Sequence, residues 1–373
     1  MSPLFVILAL HVAVGILLLA GGHPLGRRSF LVAAAVPAAG FVWACTHLGP
    51  VLDGEVTRSS FRWVPTLGLE MSLRLDGLAL MMTLVICGIG TLVLLYATQY
   101  FGEATSGLNR LAGLLLCFTG AMLGVVWAQD LLTLFVAWEL TSITSYLLIG
   151  WDDTKPTARA SALQALLTTG AGGIAMLGGF VLIGSAAGTF DIGELIDRAP
   201  RGATVSAGLV LVLIGAFTKS AQFPFSAWLP GAMVAPTPIS AFLHSATMVK
   251  AGVYLIARLA PAFATAPVWR PVVLTVGLVT MLTGGYRALR EHDLKSILAM
   301  GTVSQLGFMI VLFGAGVPRA THAGVVVLLA HALFKACLFL VVGVIDHQAH
   351  TRDIRALGRF GPGWGGPRAA AVV

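Results

Sequence analysis

Hydrophobic residues fall in runs of about 20 along this chain, separated by short polar stretches, and each run is close to the length a helix needs to cross a bilayer. Eleven such spans are predicted, near 3–22, 29–48, 77–99, 108–127, 130–151, 161–187, 205–228, 238–259, 268–287, 294–315 and 321–345. Between the second and third, residues 49–76 break the pattern. There SSFRWVPTLGLEMSLRLDG alternates polar and apolar positions, the two-residue period of a strand, and predicts a short hairpin lying over the membrane surface. The expected fold class is an all-α polytopic membrane protein.

One stretch departs from a plain span. From Phe217 to Arg258 the chain reads FTKSAQFPFSAWLPGAMVAPTPISAFLHSATMVKAGVYLIAR, with four prolines between Lys219 and Lys250. Pro224 lacks a backbone donor and clashes with the preceding turn, so the seventh span is expected to break close to Lys219. A helix is then expected to resume near Ile239 and run through His244 and Lys250 to Arg258. Broken helices occur in membranes where the freed backbone lines a protein-buried or watery cavity, the usual setting of a transporter's ion site. A charge at mid-bilayer costs roughly 2.5–3.5 kcal/mol, so two lysines beside such a break point to function.

Composition agrees with a membrane protein. Hydrophobic residues make up 57% of the chain and charged residues 10%, against about 25% charged in soluble domains, and mean hydropathy is +0.90. The net charge of +7 belongs to loops, and no basic tract interleaved with aromatics suggests a nucleic acid partner. Cys45, Cys87, Cys117 and Cys337 lie singly in apolar segments and read as small buried hydrophobes. His347 and His350 with Asp346 and Asp353 lack any standard zinc spacing, so no metal or other cofactor is expected. A nucleophile elbow and a phosphate loop are likewise missing from the sequence, which argues against an enzyme. The first apolar run follows no basic region and is too long for a cleaved signal, so it is expected to stay as the first span.

Other spans carry further candidates. Glu139 is the one acid near the middle of a span, next to the hydroxyl-rich TSITSY, and is expected to pair with Lys219. Asp130 and Asp293 read as helix N-caps, and Lys295, in the first turn after Asp293, is expected at the rim. Thr302, Ser304 and Gln305 place hydroxyl and amide groups in the tenth span, where they serve either conduction or helix–helix adhesion. In the eleventh, His331 and Lys335 are four residues apart and share a helix face. A titratable imidazole beside a buried lysine suits a proton relay. His11 reads as a packing residue. FTKSA and LFKAC are similar settings 116 residues apart, a hint of internal repetition.

Loop charges bear on orientation. An outside N-terminus assigns Arg27, Arg28, Arg110, Lys155, Arg159, Arg287, Arg290, Arg352, Arg355, Arg359 and Arg368 to the cytoplasm. Arg58, Arg62, Arg74, Arg198, Arg201, Arg258, Arg270 and Arg319 then face the other side. The basic excess favours the N-terminus outside and the C-terminus inside a cell membrane.

The run TKSAQFPFSAWLPGAM…APTPISAFLHSATMVKAGVYLIAR resembles the antiporter-like subunits shared by Mrp-type cation/proton antiporters and respiratory NADH dehydrogenase. The resemblance extends from about residue 60 to 360. HSATMVKAG, VSQLG and GVIDHQAHTRDIRALG are most similar to the A-type subunits of the Mrp-type multisubunit sodium/proton antiporters. It implies roles by position: Glu139 as the acid of the fifth span, Lys219 as its partner, His244 and Lys250 as lateral proton carriers, and His331 with Lys335 in a central polar axis. Ser304, Gln305 and Lys295 are accessory candidates. It also implies two inverted five-helix repeats in a core of fourteen spans, so the chain is expected to stop short of the second broken helix. The domain reading is 1–107 for the first helices and hairpin, 108–260 for the first repeat, 261–350 for the start of the second, and 351–373 for a truncated cytoplasmic tail.

The function expected from all this is a membrane subunit of a multisubunit Na+/H+ antiporter, whose partners are other subunits, protons, a monovalent cation and the lipid bilayer. The alternatives are a proton-pumping subunit of an NADH–quinone oxidoreductase or hydrogenase-type complex, and a non-conducting scaffold or inactive fragment.

Overall fold

The structure is a computed structural model that describes residues 2–21, 25–64, 69–102 and 105–357. Its helices are α1 (Pro3–Ala20), α2 (Arg28–Thr46), α3 (Leu48–Leu52), α4 (Gly77–Tyr100), α5 (Leu108–Trp127), α6 (Leu131–Ile149), α7 (Pro156–Ala187), α8 (Ile192–Arg198), α9 (Ala203–Lys219), α10 (Trp228–Gly231), α11 (Thr237–Ala241), α12 (Lys250–Phe263), α13 (Trp269–Ala288), α14 (Leu294–Gly314) and α15 (Pro318–Ala349). Two strands, β1 (Thr57–Val64) and β2 (Leu69–Leu75), precede α4. Arg359, Arg368 and the Gly/Pro/Ala tail lie outside the described residues.

Each of the eleven predicted runs contains helix. Among the described residues, nine segments are long and apolar enough to cross a membrane, counting Thr237–Phe263 as one. The runs at 205–228 and 268–287 fall short of that standard. In the first, α9 stops after 17 residues at the break. In the second, glycines, threonines and Arg287 dilute α13. Of the cysteines, Cys87 is buried as expected and Cys117 and Cys337 are half-buried, but Cys45 is exposed near the end of α2.

Local chemistry sets the helix starts. Asp76, Asp130, Asp191 and Asp293 each accept a backbone N–H from the first turn that follows, which is why an acid recurs before α4, α6, α8 and α14. Proline opens α1, α7 and α15, where its missing donor costs nothing.

The alternating segment forms the expected hairpin, with Phe61 opposite Met71 and Arg62 opposite Glu70 in an antiparallel register. Its second strand is stitched to the bundle. Gln129 N–H donates to Ser72 O at 2.8 Å, and Ser72 N–H donates to Asp130 Oδ2 at 3.2 Å. Asp130 therefore caps α6 and anchors the hairpin together.

The bundle packs α7 on α9, α13 on α14, α1 on α5 and α2 on α4. At its centre lies α12, in which every residue except Pro261 is buried. A helix apolar on most sides belongs in such a place. It crosses α9 at Gly252, where a Cβ would fall 2.1 Å from Ala216 O and 2.5 Å from Ser220 Oγ. Backbone cannot give way as a side chain tip can. Gly252→Ala is therefore expected to destabilise the protein by roughly 1–3 kcal/mol, read as a lower midpoint in thermal denaturation of the detergent-solubilised protein.

The break after Lys219 is as predicted, but it extends further. Phe225–Ala227 and Ala232–Val234 are 3-10 turns flanking α10. The single helix expected over 238–259 is interrupted too: α11 runs into a π-helical segment at Phe242–Ala246. Thr247, at φ −130° and ψ −99°, separates that segment from α12. The hydroxyls of Ser245 and Thr247 bond back to the carbonyls of Ala241 and Phe242, competing with the regular ladder. Wide helical turns of this kind are frequent at functional sites.

Candidate functional site

Six basic side chains meet in and around the two interrupted helices: Lys219, His244, Lys250, Lys295, His331 and Lys335 are all at most 5% exposed. Each reaches its place from a different piece of local structure.

Lys219 is the last residue of α9. Its Nζ donates to Trp138 O at 3.1 Å and Ser142 Oγ at 2.6 Å, and it lies 5.1 Å from the Trp138 ring centroid. The predicted contact with Glu139 is not made. Glu139 Oε1 is buried without a hydrogen-bond partner and points toward Gly173 of α7, where a Cβ would lie only 2.0 Å from it. The ammonium and the carboxylate thus use adjacent residues of α6, one held by the helix's own polar groups and the other turned to the neighbouring helix. Spacing along the sequence could not choose between these faces.

Lys250 opens α12. Its ammonium contacts Ser245 O, a carbonyl freed by the irregular backbone, and lies 3.1 Å from His331 Nδ1 on α15. One turn further, Lys335 Nζ donates to Leu298 O of α14 at 2.9 Å. The predicted His331–Lys335 face exists and is joined to Lys250, 81 residues away in the chain. His331 Nε2 carries no hydrogen bond.

His244 belongs to the π-helical segment, and neither ring nitrogen has a partner. Its ring lies between Trp228 and Phe339, at centroid distances of 6.3 and 6.4 Å. Trp228 Nε1 in turn donates to Thr218 O, next to Lys219. The His244 ring is thus linked through Trp228 to the residue next to Lys219.

Lys295 corrects an expectation. It is in the first turn of α14 but not at the rim: it is buried and donates to Ala235 O at 2.9 Å, because the broken segment folds over it. Ser304 Oγ donates to Met281 O of α13 at 2.8 Å, which is helix–helix adhesion. Gln305 is half-buried on α14. His11 is buried with Nδ1 against Ile7 O at 2.8 Å, a packing residue as expected, although Nε2 is left without a partner.

One cluster is not foreseen by the sequence. Arg258, expected at the end of its span with its charge facing the outer side, is buried within α12 and clasps Asp76 with both terminal nitrogens, at 2.5 and 3.0 Å. Its Nε and Nη2 also donate to Tyr254 Oη at 3.0 and 2.8 Å, and Tyr254 donates to Val126 O. Lys250, Tyr254 and Arg258 are spaced by four residues, a signal that could flag the face.

At the other end of the bundle, the segment after α15 returns to α14. Leu294 N–H donates to Arg352 O, Ile354 N–H to His292 O, and Arg352 Nε to Asp293 Oδ2 at 2.9 Å. Hydrogen bonding from Arg355 holds the exposed Asp353 carboxyl down to about 2, so that group stays ionised at any working pH.

Buried amines and imidazoles in reach of one another, on helices with interrupted backbones, can hold and hand on protons. Both the sequence and the fold have known relatives. The family described as "NADH:quinone oxidoreductase/Mrp antiporter, TM" matches residues 128–363, and "NADH-Ubiquinone oxidoreductase (complex I), chain 5 N-terminus" matches 63–110. The A-type subunit of the Na(+)/H(+) antiporter of Alkalihalophilus pseudofirmus is 45% identical over 340 residues, 87% of this chain and 42% of that protein. The A/B-type subunit of a probable K(+)/H(+) antiporter of Rhizobium meliloti is 48% identical over 314 residues, 83% of this chain and 31% of that protein. The chain thus spans less than half the length of these relatives. A chain of the Mrp complex from Dietzia sp. superposes with a TM-score of 0.91 at 39% identity, over 99% of this chain and 40% of that one. An archaeal membrane-bound sulfane sulfur reductase shares the fold, with a TM-score of 0.87 at 23% identity, over 99% of this chain and 76% of that one. The family match covers well over half of the chain and contains the whole basic series, and on that ground the protein belongs to the NADH:quinone oxidoreductase/Mrp antiporter family of membrane subunits.

Proposed function

We propose that the chain is the proton-handling part of the A-type subunit of a multisubunit Na+/H+ antiporter, working with other subunits to exchange a monovalent cation for protons. The observation that carries this reading is the hydrogen-bonded approach of Lys250 to His331, with Lys335 one turn beyond, where the interrupted stretch before α12 meets α15. Similarity to the antiporter subunits supports it. In this reading Glu139 favours the protonated form of Lys219, and release of that influence sends the proton by way of His244 to Lys250, His331 and Lys335. At an effective dielectric near 20, two unit charges about 4 Å apart interact by roughly 4 kcal/mol, about a thousandfold in an equilibrium. Making and losing such a contact is enough to switch a lysine between holding and releasing its proton.

The same reading places the N-terminus outside and the C-terminus in the cytoplasm, and divides the chain near residues 107 and 260 into leading helices, a first repeat and the beginning of a second. Ser304 and Gln305 are assigned accessory roles beside Lys295.

The test uses inverted membrane vesicles from antiporter-deficient cells that express the full complex. A preset proton gradient, followed by a quenched acridine dye, is challenged with NaCl or KCl in the absence of any electron donor. Collapse of the gradient by the cation is the expected result. A gradient that responds only to an electron donor would refute the antiporter reading in favour of a redox-linked pump. Glu139→Asp keeps the charge and is expected to retain part of the exchange rate.

A further inference from the structure

In α7 the run TTGAGG faces α6 and α9 with two adjacent glycines that meet quite different neighbours. A Cβ at Gly172 would collide with the Thr218 side chain, 1.8 Å from its Oγ1 and 2.7 Å from its Cβ. Further along, a Cβ at Gly179 would lie 2.5 Å from Gly208 O. These are glycines of close helix packing. Gly173 is different. The atoms a Cβ would meet there are Glu139 Oε1 at 2.0 Å, Cδ at 3.0 Å and Oε2 at 3.6 Å. The carboxylate occupies the volume that a side chain at 173 would fill.

We infer that Gly173 is a positioning residue for Glu139: its missing side chain forms a notch that receives the carboxylate on the α7 side of α6. The inference deepens the proton route proposed above and rests on it. The notch offers room but no donor. Gly173 lies inside a continuous helix, so its N–H is committed to the ladder, and Glu139 Oε1 has no hydrogen bond. Lys219, meanwhile, is held by Trp138 O and Ser142 Oγ of Glu139's own helix. The notch thus seats the carboxylate by shape without a hydrogen bond at Oε1, while the Lys219 charge acts on it through space. Filling the notch shifts the carboxylate out of it at small cost, because the clash is with a side-chain tip and not with backbone.

The experiment is a double-mutant cycle in the full complex: Gly173→Ala, Glu139→Asp and the pair, with Gly172→Ala as a packing control. Aspartate is one methylene shorter and withdraws from the volume that the new methyl takes. Gly173→Ala is expected to lower cation-driven exchange when residue 139 is Glu and to do so far less when it is Asp, a coupling of roughly tenfold. Gly172→Ala should show no such dependence on residue 139. Dicyclohexylcarbodiimide labelling of Glu139, read by mass spectrometry, supplies a second measure that does not need transport, and its rate should change in Gly173→Ala. Should Gly173→Ala assemble poorly, restored assembly in the pair supports the notch and equally poor assembly overturns it. Equal losses in both backgrounds, or unchanged exchange and labelling, also overturn it. Full exchange in Glu139→Ala would instead remove the underlying route, an outcome distinct from failure of the notch.

Discussion

Replacing Lys250 with alanine is expected to lower cation-driven proton exchange by at least about 100-fold, the scale on which a positioned proton-transfer group contributes. The lysine joins the interrupted stretch before α12 to the basic face of α15. Its ammonium touches Ser245 O on the interrupted stretch and His331 Nδ1 on α15, so deletion removes both links. Lys250→Arg is the sharper variant. Arginine keeps the positive charge and can keep the hydrogen bonds, but it does not give up its proton in proteins. If Lys250 carries protons, Lys250→Arg fails as Lys250→Ala does, with the complex still assembled on a native gel. Wild-type exchange in Lys250→Arg would show that charge alone suffices and would remove this lysine from the route.

Asp76→Ala carries the second large effect, on stability. Arg258 is 7% exposed and its bidentate partner is Asp76. Removing one member of a buried pair leaves an uncompensated charge, a loss of roughly 3–5 kcal/mol. The consequence is local as well as global. The backbone before α12 is irregular, so that helix takes little of its axial position from α11, and the Arg258–Asp76 clasp ties its far end to the start of α4. Thermal denaturation of the solubilised complex should show a markedly lower midpoint for Asp76→Ala. Adding Arg258→Leu should recover much of the loss, since replacing both charges with apolar bulk is often near neutral. A midpoint unchanged in Asp76→Ala would mean that the pair is not buried in the assembled protein.

The Asp76 cluster also marks the limit of what the sequence reveals. A basic residue near the end of an apolar run looks the same whether it faces water or a carboxylate 182 residues earlier, and the charge of Arg258 reads as facing the outer side for that reason. Lys295 is misleading in the same way, because its burial depends on the broken segment folding over it. The expected pairing of Glu139 with Lys219 fails for a finer reason. Lys219 reaches α6 at Trp138 and Ser142, but which way the Glu139 carboxylate turns depends on a missing Cβ on α7. Helix existence suffers none of this. The caps at Asp130 and Asp293, the break at Pro224 and the shared face of His331 and Lys335 are local properties, and each stands in the structure.

What the sequence determined by itself was where the apolar helices lie, the hairpin, the break after Lys219 and the basic residues with any reason to be inside. Hydrophobic period, proline sterics and the expense of burying charge act over a few residues, so they can be read along the chain. Tertiary structure alone decided which of those residues meet. Lys250 reaches His331 because α15 packs against α11 and the π-helical segment, at the level where that segment frees a carbonyl. Glu139 turns its Oε1 toward α7 because that helix presents glycine at that height. Such contacts depend on the relative height and rotation of helices distant in sequence, which packing sets only after every span is in place.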